Sequence, residues 1–300
     1  MYSIGVWQER FSLNSTYKQT RLHLHENEKT ENMQKPDPEI AKAKQEIIKL
    51  FTDQYGRPKK TPYYVAQLQT LLENQFFPWI THQAAEQLVN QKILSKIETS
   101  TKCHSKVVFF YNAKLNTPKL KRPVEVHIKS IGKLIDSYSD HTVCKALGDH
   151  LEGLVKAELR AQGFKIVGMH TRKYASIEWT QTDHNLDFIA EHNSGRLTIR
   201  VEVKNTLPII EREEIEIKID ICNLFGITPV FAVRWLKPYM ELIRNRCGFS
   251  WIFKTQIYPP GFEELTKIIY KRLSLPINVR TELPEKSIAI FHNWVETKTV

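Results

Sequence analysis

The sequence predicts an α/β protein in two parts: a mainly helical N-terminal part and a C-terminal core with a mixed sheet flanked by helices. Three observations predict this. Residues 37–92 carry apolar positions at helical spacing. Residues 164–167, 186–204, 228–235 and 251–259 read as strands. Amphipathic helical stretches separate those strands.

Composition sets the bounds. The chain has 300 residues, 41% hydrophobic and 25% charged, enough for a sizeable core without a disulfide framework. Cys103, Cys144, Cys222 and Cys247 form no CxxC pair and read as reduced thiols, so a cytoplasmic protein is expected. No apolar run approaches the roughly 20 residues a membrane helix needs, so no membrane partner is expected. Residues 1–36 lack a leader-like apolar region and turn polar after Phe11, which predicts an arm without fixed structure. His23 and His25 alternate there with no third metal ligand nearby. Met33 precedes the first convincing helix, so residues 1–32 read either as a dispensable arm or as a misplaced start.

The net charge is +10, and it is uneven. Residues 1–145 hold 22 Lys/Arg and 14 Asp/Glu, whereas residues 146–300 hold 21 and 19. An anionic partner held mainly by the first half is expected, with nucleic acid foremost.

In chain order, Ile40, Ile47, Ile48 and Phe51 recur at helical spacing until Gly56. Val65, Leu68, Leu71 and Leu72 make a second stripe. Ala84, Ala85, Leu88 and Val89 make a third, with Thr81 as the expected N-cap. ILSKIE (93–98) and KVVFFYN (106–112) read as a strand pair around the loop TSTKCHS. Three helices followed by a hairpin is an order that resembles the winged helix-turn-helix over residues 37–112. That resemblance implies DNA contact by His82, Gln83 and Gln87 from the third helix and by Lys102, His104 and Lys106 from the wing. Residues 113–140 read as a linker or seam, since 112–126 holds two prolines and no amphipathic period.

The second part, 141–300, opens on a helix with Leu147, Leu151, Leu154, Val155 and Leu159 on one stripe and Gly163 at its end. Segment 211–225 is read as a helix although Ile215, Ile217, Ile219 and Ile221 alternate as in a strand. Its length, its leading acids and Gly226 favour the helix. Further helices are expected at 261–273 and within 284–296.

The hairpin LDFIAEHNSGRLTIRVEVK (186–204) carries the chemistry. A Ser194-Gly195 turn pairs Ala190 with Ile199, Phe188 with Val201 and Leu186 with Val203, all apolar. The same register sets Asp187 opposite Glu202, with Lys204 on the same side. Opposed carboxylates about 5 Å apart at Cβ repel unless one is protonated or a cation intervenes. A divalent ion with oxygen ligands suits that place, and the Lys204 ammonium suits charge developing on a phosphate. The competing expectation is a solvated sheet face, since Glu-x-Lys is a common tripeptide.

With LDF supplying Asp187 and VEVK supplying Glu202 and Lys204, after the helix LEGLVKAELRAQGF, the chain resembles the PD-(D/E)XK nuclease superfamily of restriction endonucleases and Holliday-junction resolvases. The resemblance spans roughly residues 145–260, and Leu186 stands where the signature has proline. It implies a restriction-endonuclease-like fold and a DNA endonuclease using Mg²⁺, or Mn²⁺ in its place. Asp187, Glu202 and the Val203 carbonyl are the implied metal ligands, Lys204 positions the water, and Glu152 supports the site, with Asp149 as the fallback. The alternative for Glu152 is an i,i+4 pair with Lys156. Implied partners are DNA, a second copy of the chain, or another protein in a nucleoprotein complex. The alternative function is a non-catalytic DNA-binding or assembly protein with a nuclease-like fold.

Overall fold

Helix α1 (Pro38–Phe51) packs Ile40, Ala43, Ile47 and Phe51 against the next two helices. These are α2 (Val65–Leu72) and α3 (Pro78–Asn90). The computed structural model describes residues 37–299, so the expectations for the N-terminal arm, His23, His25 and Met33 lie outside the described residues. Helix α3 starts at Pro78, before the cap expected at Thr81. Proline suits a first helical position because its fixed φ is pre-set and its missing N–H is not needed, and Thr81 is buried one turn inside.

Strand β1 (Tyr63–Tyr64) joins β2 (Leu94–Thr99) and β3 (Val107–Asn112) in the order β1-β3-β2. Alternation along β3 gives that sheet two buried faces. Phe110 points into the α1–α3 cluster, while Phe109 and Tyr111 point the other way.

What covers that second face corrects the expectation of a linker at 113–140. Pro118–Ser139 is a 22-residue helix, α4, and it buries Val124, Ile128, Ile131, Leu134 and Ile135. The apolar period begins only at Val124, just beyond Pro123, so the stretch up to residue 126 reads as irregular. Helix α4 joins Phe109 and Tyr111 in one core with Leu147, Leu207, Tyr258, Ile269 and Leu273.

The large sheet contains β4 (Phe164–Thr171), β7 (Leu186–His192), β8 (Thr198–Lys204), β9 (Thr228–Val233) and β10 (Phe249–Ile252). Strands β5 (Lys173–Tyr174) and β6 (Ile177–Glu178) form a small separate pair. The order is β10-β9-β8-β7-β4. Pairings β4/β7 and β7/β8 are antiparallel, and β8/β9 and β9/β10 are parallel. Helix α5 (His141–Ala161) lays Leu151, Val155 and Leu159 on one face, against Phe188, Ala190 and Val201. Helix α6 (Arg212–Phe225) crosses from β8 to β9 on the other face, where Ile215 and Ile219 meet Phe231 and Val233. Gly226 ends it with φ +66°, a left-handed turn that glycine adopts without a Cβ penalty.

The strand expected over 251–259 is two strands in different sheets. Lys254 takes φ +66°, and beyond it β11 (Gln256–Tyr258) pairs with β12 (Ile277–Val279) instead of continuing β10. Helix α7 (Met240–Asn245) precedes β10, α8 (Glu263–Leu273) lies between β11 and β12, and α9 (Glu285–Thr299) stacks Phe291 on Trp251 at 4.0 Å. No helix among the described residues is long and apolar enough to cross a membrane.

The helical part and the sheet part share buried polar ties. Arg234, at the end of β9, grips Glu73, just past α2, with two bonds of 2.6 and 2.7 Å. Gln67 on α2 donates to the Leu273 carbonyl at 2.9 Å, and the Tyr64 and Tyr138 hydroxyls meet at 2.8 Å. Pro38–Val300 accordingly forms one compact unit.

Candidate active site

The β7/β8 hairpin has the expected register over Phe188 opposite Val201, Ile189 opposite Arg200 and Ala190 opposite Ile199, but the expected Leu186–Val203 pair does not form. Leu186 packs with Ile189 and Ile221, whereas Val203 packs against the opposite cluster. The backbone ladder ends there. Asp187 then turns its side chain to the neighbouring strand, and Oδ2 accepts the Val203 N–H at 2.8 Å. Alternation puts Asp187, Glu202 and Lys204 on the face covered by α6.

Two cations from the chain occupy this face. Arg200, fully buried two residues before Glu202, donates to Glu202 Oε2. Lys218, buried on α6, lies 2.8 Å from the same oxygen and also donates to the Asn185 carbonyl. Burial alone would raise the Glu202 carboxyl, but the Arg200 and Lys218 charges outweigh it and hold the group below its ordinary value. Burial pushes Lys218 down, against the pull of Glu202. Lys204 is ion-paired to Glu214 in the first turn of α6. Cations within the fold therefore hold Glu202 ionised, while its charge still acts on Asp187.

Asp187 responds differently. Burial and then repulsion from Glu202 push its carboxyl from 3.8 up to about 6, partly offset by the Val203 bond and the nearby Arg200 and Lys218. Between those values the folded chain holds a proton that the unfolded chain has released. This group's contribution to stability therefore falls as pH rises from about 4 to 6 and stays low above that. Asp187→Asn is expected to raise the melting temperature at pH 7.5 more than at pH 4, in EDTA. Equal gains at both pH values would contradict this.

Glu152 does not join the cluster. It lies 3.5 Å from Lys156, on α5, the helix packed against the opposite face of the sheet. Lys156 in turn sits 4.8 Å above the Phe188 ring. Asp149 pairs with Lys145 and is exposed. Among the described residues, no three His, Cys, Asp or Glu side chains converge to hold a metal. Asp187 and Glu202 are nonetheless hard oxygen donors suited to Mg²⁺. Val203 engages Asp187 Oδ2, and the two cations engage Glu202 Oε2.

The site is anchored from behind. Asn205, buried next to Lys204, donates to the Leu147 and Ile257 carbonyls at 2.8 and 2.6 Å and accepts the Ile257 N–H at 2.9 Å.

The residues expected to touch DNA lie in the helical part. His82 and Gln83 are exposed on α3 and Gln87 is half-buried. Lys102, His104 and Lys106 are exposed, but their loop is not a free wing. Asp136 of α4 accepts the Lys102 and Cys103 amides at 3.0 and 2.8 Å, and Lys106 pairs with Glu98 at 2.9 Å. A cavity of about 370 Å³ lined by Thr70, Trp79, His82, Leu207, Ile209 and Tyr239 separates α3 from the strap joining Lys204 to Glu214.

Sequence reasoning missed Arg200, Lys218 and Glu214. Arg200 was visible as the i−2 neighbour of Glu202 on the same strand face. Lys218 and Glu214 become site residues only once α6 is laid over β8.

No protein-family model, curated protein or solved structure matches the chain.

Proposed function

We propose that the chain is a Mg²⁺-dependent DNA endonuclease with a restriction-endonuclease-like core and a winged-helix-like N-terminal part. One observation carries the reading: at the end of one hairpin Asp187 lies close enough to Glu202 for that charge to raise its carboxyl, and Lys204 follows two residues after Glu202 on the same strand. The element order α5–β4–β7–β8–α6–β9 supports it, because it matches the order the PD-(D/E)XK resemblance implies.

On this reading Asp187 and Glu202 hold Mg²⁺ or Mn²⁺, with the Val203 carbonyl as a further ligand. The ion supplies Lewis acidity toward a phosphate oxygen. The chain supplies the rest. The Val203 amide fixes Asp187, Arg200 and Lys218 keep Glu202 ionised, and Lys204 orients water and faces charge growing on the phosphate. Glu214 competes with that phosphate for Lys204. Glu152 has no part in this set.

The test is conversion of supercoiled plasmid with Mg²⁺, with Mn²⁺ and in EDTA, by wild type, Asp187→Ala and Lys204→Ala. Metal-dependent nicking by wild type, with losses of about a hundredfold or more in both variants, is expected. Equal cutting by all three would sink the reading.

A specific observation favours a second reading. Glu202 and Lys204 are already ion-paired within the chain, to Lys218 and Glu214, and among the described residues no three His, Cys, Asp or Glu side chains converge, which suits a DNA-binding or assembly protein that keeps a nuclease-like fold without cutting. That reading predicts salt-sensitive DNA binding with no cleavage under any metal.

A further inference from the structure

Helix α4 has two faces of opposite character. Val124, Ile128, Ile131 and Ile135 are buried in the core. On the opposite side Lys119, Arg122, Val126, Lys129 and Lys133 are all exposed. Their spacing of three, four, three and four residues keeps them in one stripe along the helix. At about 1.5 Å per residue the stripe runs roughly 21 Å.

No carboxylate among the described residues pairs with the four cations of the stripe. Among the described residues, the acid on the exposed side of α4, Glu125, pairs with Lys121 beside the stripe at 3.6 Å, and Asp136 is committed to the Lys102 and Cys103 amides. Arg272 of α8 donates to Ser130 at 3.0 Å and adds a fifth positive group alongside. Surface cations usually alternate with acids. An unneutralised row of this length instead complements a linear array of negative charge.

We propose that this face of α4 is a phosphate-tracking surface that holds double-stranded DNA along the sugar–phosphate backbone. The row covers roughly six phosphates of one strand at about 3.4 Å each along the duplex axis. A membrane surface fits less well. Helices that lie in lipid headgroups sink a broad apolar face, whereas the apolar face of α4 is buried in protein and the exposed side offers only Val126 and the margin of Leu120. The surface gives no base readout, so it contributes affinity and orientation without sequence preference. The choice of DNA rests on the nuclease reading above, but the readout is binding and needs no cleavage.

The experiment is fluorescence anisotropy of a 30-base-pair duplex with the full chain, in EDTA, across about 50–300 mM salt. The K119Q/R122Q/K129Q/K133Q variant is expected to lower the slope of log K against log salt by about 3–4, since each lost phosphate contact removes about 0.9. Four exposed lysines elsewhere, in the K165Q/K254Q/K286Q/K298Q variant, change net charge equally and are expected to lower the slope by less than about 1. Lys129→Gln alone guards against misfolding of the quadruple variant, with an expected drop of about 0.9. Equal slopes for the two quadruple variants, or no duplex binding by wild type, overturn the proposal. So does loss of binding to phosphatidylserine/phosphatidylcholine vesicles with an unchanged DNA slope. A slope shift without any metal-dependent cleavage upholds this surface and removes the nuclease reading.

Discussion

Glu73→Ala is expected to destabilise the protein by about 3–5 kcal/mol, as read from urea unfolding at neutral pH. Arg234 is buried, and its Nη1 and Nη2 reach the two oxygens of Glu73 at 2.6 and 2.7 Å. It also donates to the Thr206 and Leu207 carbonyls. Those carbonyls are neutral and cannot replace the carboxylate. Alanine would leave a buried guanidinium without its carboxylate, and most of the expected cost is that uncompensated charge. Replacing both partners should be gentler: Glu73→Leu with Arg234→Met removes the charge as well as its partner, and the double variant is expected to lose less than Glu73→Ala alone. A loss under about 1 kcal/mol for Glu73→Ala would show that water enters the site.

Asn205→Ala is the second large effect, about 3 kcal/mol or more of stability. The amide bonds three backbone groups on two elements, and its own carbonyl oxygen on the main chain accepts Gln256 Nε2 at 2.8 Å. Truncation leaves the Ile257 N–H and two carbonyls buried without those partners, and each orphaned group costs about 1–3 kcal/mol. Asn205→Asp keeps the shape, loses both donors and buries a charge, so it should be no milder. The residue also fixes where β8 ends, one position beyond Lys204. On the nuclease reading, Asn205→Ala should therefore depress cleavage even below the melting transition. Normal cleavage by a destabilised variant would separate the anchor from the site.

The legible features were those set by local pattern. A Ser-Gly turn and a face of apolar pairs were enough to place Asp187 and Glu202 together, because a slip of one residue would have turned every apolar side chain out. The leading acids and Gly226 identified α6 against the strand-like alternation of its isoleucines. The missed features depended on long-range placement. Lys218 reads as one more surface lysine until the helix is docked, and Glu152 with Lys156 has the same spacing whether it faces a site or solvent. Helix α4 lost its signal because two prolines and a basic run fill its first turns. The break at Lys254 left no mark, since lysine is not a usual left-handed residue.

The tie between Glu73 and Arg234 also governs timing. The two residues lie 161 positions apart. A ribosome releases the helical part long before β9 emerges, at about 5–20 residues per second. For some ten to thirty seconds at that pace, Glu73 waits without its partner, and the groove around it stays open. The three helices can collapse on their own cluster early. Their docking to the sheet is a late event of synthesis, in which the Glu73–Arg234 pair can form before the bond from Gln67 to the Leu273 carbonyl.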